Sequence, residues 1–112
     1  MPKGTQKSEV MQGTLDLMVL KTLEAMGPLH GYGLARRIEQ ISGNALLLNQ
    51  GTIYASLVRL LHRGWIQAEW GTSETNRRAK FYALTPRGRT QLREQAASWE
   101  RIAAVMNRVL EQ

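Results

Sequence analysis

The side chains in this sequence that could do chemistry are its cations. Fifteen lysines and arginines stand against nine carboxylates, leaving a formal net charge of +6. The excess is unevenly placed. Between Gly51 and Arg93 lie Arg59, Arg63, Arg77, Arg78, Lys80, Arg87, Arg89 and Arg93, opposed only by Glu69 and Glu74, while the rest of the chain is balanced. That asymmetry points to an acidic partner, nucleic acid first and an anionic membrane surface second. Other chemistries lack parts. The two histidines, His30 and His62, are far apart, the carboxylates read as solvated helix faces, and no nucleophile–base–orienter set is visible. The absence of cysteine excludes disulfides and thiolate ligands, and two histidines are too few for a metal site. No catalytic residue, metal or cofactor is therefore expected. A cysteine-free chain with no membrane-length apolar run and no signal-like N-terminus is expected in the cytoplasm.

The stretch Asn49–Arg63 organises the rest. Asn49 is a good N-cap, because its side-chain oxygen can accept from the N–H groups that open a helix. Ile53, Leu57, Leu60 and Leu61 recur at helical spacing and predict one buried face. The opposite face is read as Thr52, Ala55, Arg59 and Arg63, with no carboxylate anywhere in the helix. Small residues there allow close approach to a polyanion, hydroxyls can bond phosphates or base edges, and arginines can read guanine or clamp phosphate.

Its neighbours must hold that helix in place. Residues 1–8 are polar and expected to fray, with Lys3 and Lys7 able to reach phosphate. A first helix is predicted over about Glu9–Met26, apolar on more than one stripe and ended by Gly27-Pro28. A second runs from about Tyr32 to Ile41, with Leu34, Ile38 and Ile41 inward and Arg36, Arg37 and Glu39 outward; Ala45–Leu48 is an apolar connector. Gly64 then stops the central helix. Trp65–Trp70 alternates as a strand, residues 71–78 form a polar loop, and Ala79–Leu84 returns as a second strand. The hairpin carries Asn76, Arg77, Arg78 and Lys80. A basic hairpin beside a cationic helix can grip duplex DNA, the helix in the major groove and the ribbon on phosphate or the minor groove.

Thr85-Pro86 opens a last helix that runs to about Leu110. Leu92, Trp99 and Met106 stand seven apart, each followed by a pair that fills the next turn (Gln95/Ala96, Ile102/Ala103, Val109/Leu110), a short heptad-like seam with small residues in half its layers. At 1.5 Å per residue it spans roughly 36 Å, more than a domain this size needs for its own core. A second copy of the chain is the simplest cover, giving a two-fold dimer. The expected fold is mostly α with a small β-hairpin: a winged helix-turn-helix in residues 1–85 and a dimerisation helix over 86–112.

Read together, Leu29-His-Gly-Tyr-Gly33, Gln50-Gly-Thr-Ile-Tyr54, Leu60-Leu-His-Arg-Gly-Trp-Ile66, Trp70-Gly71, Asn76-Arg-Arg-Ala-Lys-Phe-Tyr82 and Leu84-Thr-Pro-Arg-Gly88 closely resemble the PadR family of bacterial transcriptional regulators. The likeness covers about Val10 to Val109, lacks a long C-terminal extension as in the short-tailed branch, and is similar in wording to a subgroup common in acidobacteria and often linked with transporter permease genes. It implies a homodimer that binds a palindromic operator and usually represses. It places the reading face on Gln50, Thr52, Tyr54 and Arg59 and phosphate contacts on Arg77, Arg78 and Lys80. By helical geometry Tyr54 lies on the flank, for phosphate contact or packing. The resemblance also implies that Trp99, which follows a serine, stacks across the dimer axis and can sandwich a planar, apolar effector, with Val10, Met11, Leu17 and Met18 available to line the cavity. The rival reading is a basic protein-interaction or membrane-surface module. The central helix has no aromatic on its apolar face, and its leucines are needed for the core, so no membrane contact is expected.

Overall fold

A computed structural model describes residues 8–9 and 11–112. The elements, in chain order, are β1 (Ser8–Glu9), α1 (Gln12–Met26), β2 (Leu29–His30), α2 (Gly31–Ser42), β3 (Leu46–Leu47), α3 (Gln50–Arg63), β4 (Ile66–Thr72), β5 (Arg78–Leu84) and α4 (Pro86–Leu110). Ser8, expected to fray, instead pairs with Leu46 in a short parallel ladder between β1 and β3, and Glu9 lies in that ladder rather than in α1. Residues 1–7 and Val10, including Lys3 and Lys7, lie outside the described residues.

The core is built around α1. Its Leu15, Val19, Leu20 and Leu23 meet Leu34 and Ile38 of α2, Ile53, Leu57 and Leu60 of α3, and Ile66, Tyr82 and Leu92 from the hairpin and α4. A helix touched on several sides explains why the apolar residues of α1 do not fall on a single stripe. The hairpin extends further than its alternation suggested. Gly71, expected in the loop, pairs with Ala79, and the Phe81 ring lies where a side chain would stand, 2.9 Å from an added Cβ, so glycine suits this strand position. The turn shrinks to residues 73–77. A third strand joins the wing: Leu29 and His30 of β2 pair with Tyr82 and Phe81 of β5, giving the order β2-β5-β4.

The two helix ends flanking the wing are joined at one node. Gly64 terminates α3 in the left-handed conformation, at φ 74°. The Thr85 hydroxyl donates to the Gly64 carbonyl at 2.7 Å and accepts from the Gly88 N–H at 3.0 Å, so one side chain caps α4 and ties it to α3. The Trp65 carbonyl accepts from the Thr85 N–H at 3.0 Å.

Two readings change. Ile41, expected inward, is 66% exposed, because the last turn of α2 overhangs the core. Leu92, expected on the dimer seam, is 4% exposed and sits in the core of its own chain. The first two turns of α4 lie against the body, so the seven-residue spacing joins one core residue to two exposed ones. Beyond them Trp99, Ile102, Val105, Met106, Val109 and Leu110 are open. No helix among the described residues is long and apolar enough to cross a membrane.

The node makes a sharp prediction. A Cβ added at Gly88 would stand 1.9 Å from the Trp65 carbonyl oxygen, a backbone atom. Gly88→Ala should therefore lower stability by about 3 kcal/mol or more, read from the urea midpoint. A loss near zero would mean that the α3–α4 junction is looser than described.

Candidate nucleic-acid interface

The N-terminus of α3 is rigid before it meets anything. The Asn49 Oδ1 accepts from the Thr52 N–H at 2.8 Å and from the Thr52 hydroxyl at 3.0 Å. The Thr52 hydroxyl proton, expected to be free for a phosphate or base edge, is thus used in the cap. Ile53, Ser56, Leu57 and Leu60 are buried. At about 100° per residue, the direction opposite them falls on Gly51, Ala55, Val58 and His62, with Tyr54 about 70° to one side and Gln50, in the first turn, further round the same way. All six are exposed, Val58 by 43%. Ser56 and Val58 were not part of the sequence reading, and they rotate the face it assigned.

Thr52, Arg59 and Arg63 stand on the flank of α3 toward α1. The reason is Asp16. This carboxylate, expected on a solvated face, is buried, and its Oδ1 accepts from the Ser56 hydroxyl at 2.6 Å. Arg59 adds a two-point contact, Nε to Oδ2 at 3.1 Å and Nη2 to Oδ1 at 2.7 Å. Arg63 Nη1 lies 3.6 Å from Oδ2, and its guanidinium also covers the Trp65 ring at 5.1 Å. Such forked, charge-assisted pairs fix geometry as well as charge. The hydrogen bonds to Asp16 raise Arg59 above its ordinary value, against desolvation by burial, which works the other way. Arg59 is therefore held sideways against α1 and does not project from the open face. Asp16 lies in the first helix, and nothing local in the sequence marks it as the partner of a residue on α3.

The wing supplies the free cations. Its turn is closed by Ser73 N–H to the Arg77 carbonyl at 2.7 Å and Asn76 N–H to the Ser73 carbonyl at 2.9 Å. Asn76 takes the left-handed position, φ 61°, which asparagine tolerates, so its first role is to shape the turn. Arg78 and Lys80 both lie over the exposed Trp70 ring, at 4.7 and 5.6 Å. Arg77, Arg78 and Lys80 line a cleft of about 1010 Å³ between the wing and helices α2 and α3. Tyr32, Arg36, Arg37 and Tyr54 line its other wall, and among the described residues Glu74 is its only carboxylate. Tyr32, Arg36 and Arg37 were missed as site residues; the usable signal was a cation pair one turn into the helix before α3. His30 joins the two walls. Its Nδ1 accepts from the Gly33 N–H at 3.0 Å, capping α2, and its ring meets Phe81 edge-on at 5.3 Å. Burial, and secondarily Tyr54, raises the Tyr82 phenol above its usual value.

Over residues 19–94 the sequence matches the transcriptional regulator PadR-like family. The chain belongs to this family. Solved structures of transcriptional regulators agree with the fold. It superposes on a transcriptional regulator from Clostridium thermocellum with a TM-score of 0.78 at 27% identity, covering 87% of this chain and 93% of that one. A PadR family regulator from Clostridium difficile R20291 gives 0.72 at 28% identity, covering 86% and 97%. An uncharacterised 37.1 kDa protein of a Streptomyces fradiae transposon is 37% identical over 87 residues, which is 78% of this chain but 23% of that protein. PadR regulators are non-enzymatic, DNA-binding transcription factors, and this chain shares that general function.

The second sequence-derived site is split. Met11, Leu17 and Trp99 line one groove of about 520 Å³, while Leu17, Met18, Trp99 and the displaced Ile41 line another of about 690 Å³. Trp99 is the ridge between them. Among the described residues no group of three or more metal-capable side chains is gathered.

Two measurements probe this geometry. Arg59→Ala should cost about 3 kcal/mol in urea unfolding, because it strands a buried carboxylate, with Ser56 and Arg63 limiting the loss. Tyr82, whose folded value is raised, favours the folded state below the ordinary tyrosine value near 10, and that contribution is lost as pH rises above it. Tyr82→Phe should flatten the alkaline fall in stability; an unchanged slope above that pH would mean another group is responsible.

Proposed function

We propose that this PadR-family chain is a ligand-responsive repressor that binds a palindromic operator as a homodimer in the cytoplasm. The observation that carries the reading is one shared surface: the open face of α3 beside a cleft lined, among the described residues, by five cations and a single carboxylate. Gln50, Tyr54 and Ala55 are placed to meet the groove, with Thr52 at the rim. Arg77, Arg78 and Lys80 meet phosphate, and Arg36 and Arg37 add to that strip. Asn76 presents the wing tip. Two such surfaces in a two-fold dimer would lie about 34 Å apart, one turn of B-DNA.

The far half of α4 supports pairing. Trp99, Ile102, Met106, Val109 and Leu110 form an exposed apolar stripe in the single chain, and a second α4 with its α1 would cover it. In that pairing residues 86–112 act as the dimerisation helix of a DNA-binding body over 1–85, with Leu92 belonging to the body. The two grooves on either side of Trp99 suit a planar, apolar effector, with Met11, Leu17 and Met18 as adaptable walls. The motif wording is similar to that of an acidobacterial subgroup of the family.

Salt titration of binding to a duplex selected from random sequence tests the reading. Affinity should fall steeply with salt, and Arg77→Ala and Arg78→Ala should each lower the log–log slope by about one. Unchanged slopes in both variants would remove the wing from the interface. For the effector site, a planar cationic dye should quench tryptophan fluorescence saturably, and Trp99→Ala should weaken its binding roughly tenfold through loss of one stacking partner. Equal affinity in that variant would sink the pocket.

A further inference from the structure

Asp16 takes no part in the surface described above, yet it consumes the charge of the arginine nearest the middle of α3. Resting on the reading that α3 enters a DNA groove, we propose that Asp16 is a specificity-determining residue. It withholds Arg59, and in part Arg63, from the phosphate backbone, so that tight binding depends on what the uncharged outward face of α3 finds in the groove.

Both oxygens of Asp16 are committed. Oδ1 accepts from Ser56 and Arg59 at 2.6 and 2.7 Å, and Oδ2 accepts from Arg59 at 3.1 Å with Arg63 at 3.6 Å. All three partners stand on α3, and the carboxylate is 4% exposed, so solvent ions cannot replace it. A free arginine on this helix would bind phosphate in any duplex and release counterions as it did so. That gain is independent of sequence. It raises affinity for the whole competing genome as much as for the operator, and so lowers the ratio that matters for regulation. An arginine already neutralised by a buried carboxylate releases little. What then faces outward from α3 near its start is Gly51, Tyr54, Ala55 and Val58, which can discriminate by fit and by contact with thymine methyl groups.

A purely structural role predicts something else. If Asp16 only stitched α1 to α3, its loss would loosen α3 and weaken binding to every duplex without changing the number of ions released.

Asp16→Asn keeps the side-chain shape and an acceptor for Ser56 while removing the charge. Its binding to a random-sequence duplex and to the operator selected by the wild type would be followed against potassium chloride. On the random duplex the log–log slope should steepen by about one, and affinity at 0.1 M salt should rise about eightfold. The operator should gain less, so the specificity ratio falls. Adding Arg59→Gln to Asp16→Asn should return the slope to the wild-type value. If Asp16→Asn folds too poorly to assay, Asp16→Ser, which keeps a hydroxyl for Ser56 while removing the charge, takes its place with the same expected steepening, and Arg59→Gln should leave the wild-type slope on the random duplex unchanged. An Asp16→Asn slope equal to or shallower than wild type, or an Arg59→Gln slope lower by about one, overturns the proposal while wild-type binding stands. A wild type with no salt-dependent duplex binding removes the underlying reading instead.

Discussion

A carboxylate closed off from water must be given protons or cations, and Asp16 is given two arginines and a serine hydroxyl from one helix. Much of the geometry of the outward side of α3 follows from that demand. The forked Arg59 contact fixes how α3 is rolled about its own axis against α1, since a roll of one residue would carry the guanidinium away from both oxygens. With the roll set, Gly51, Ala55, Val58 and His62 become the outermost residues and the arginines become flank residues. Apolar packing by Ile53, Leu57 and Leu60 favours the same side of the helix but tolerates more rotation than a two-point ion pair does. Conformational identity here rests on a polar contact laid over a hydrophobic core.

Charge is divided between two elements with different duties. The arginines of α3 are held by the protein, whereas those of α2 and the wing face open solvent in a shared cleft. Trp70 narrows the freedom of the wing cations, because Arg78 and Lys80 both rest on its ring. A cation resting on an aromatic face pays less ordering entropy when phosphate arrives than one swinging freely. The short strand β2 anchors this arrangement from the other side, placing the cap of α2 directly against Phe81 of the wing.

Local chemistry was legible in the sequence and distant chemistry was not. Asn49, Gly64, Thr85 and Pro86 announced the bounds of α3 and α4 because caps act within one turn of the residues they serve. Helix periodicity found most of the core for the same reason. The Asp16–Arg59 pair spans 43 positions and two helices, so nothing near either residue could reveal it, and Arg59 was read as facing outward. Leu92 kept its heptad spacing while changing its surroundings, because periodicity reports which face a residue is on and not what lies against that face. β2 is two residues long, too short for alternation to register. Gly71 could be placed in a strand only once Phe81 was known to lie over it.

The Thr85 junction gives the long last helix a mechanical meaning. Because one hydroxyl holds the end of α3 and the start of α4 together, the two cannot pivot separately. In a paired molecule α4 is then a lever arm of roughly 36 Å with a reading head fastened to its base. A tilt of about five degrees where the distant ends cross would displace each head by roughly 3 Å, close to the 3.4 Å rise of one base pair. A molecule wedged beside Trp99 would therefore need to spread the pair only slightly to put both heads out of step with successive turns of the double helix.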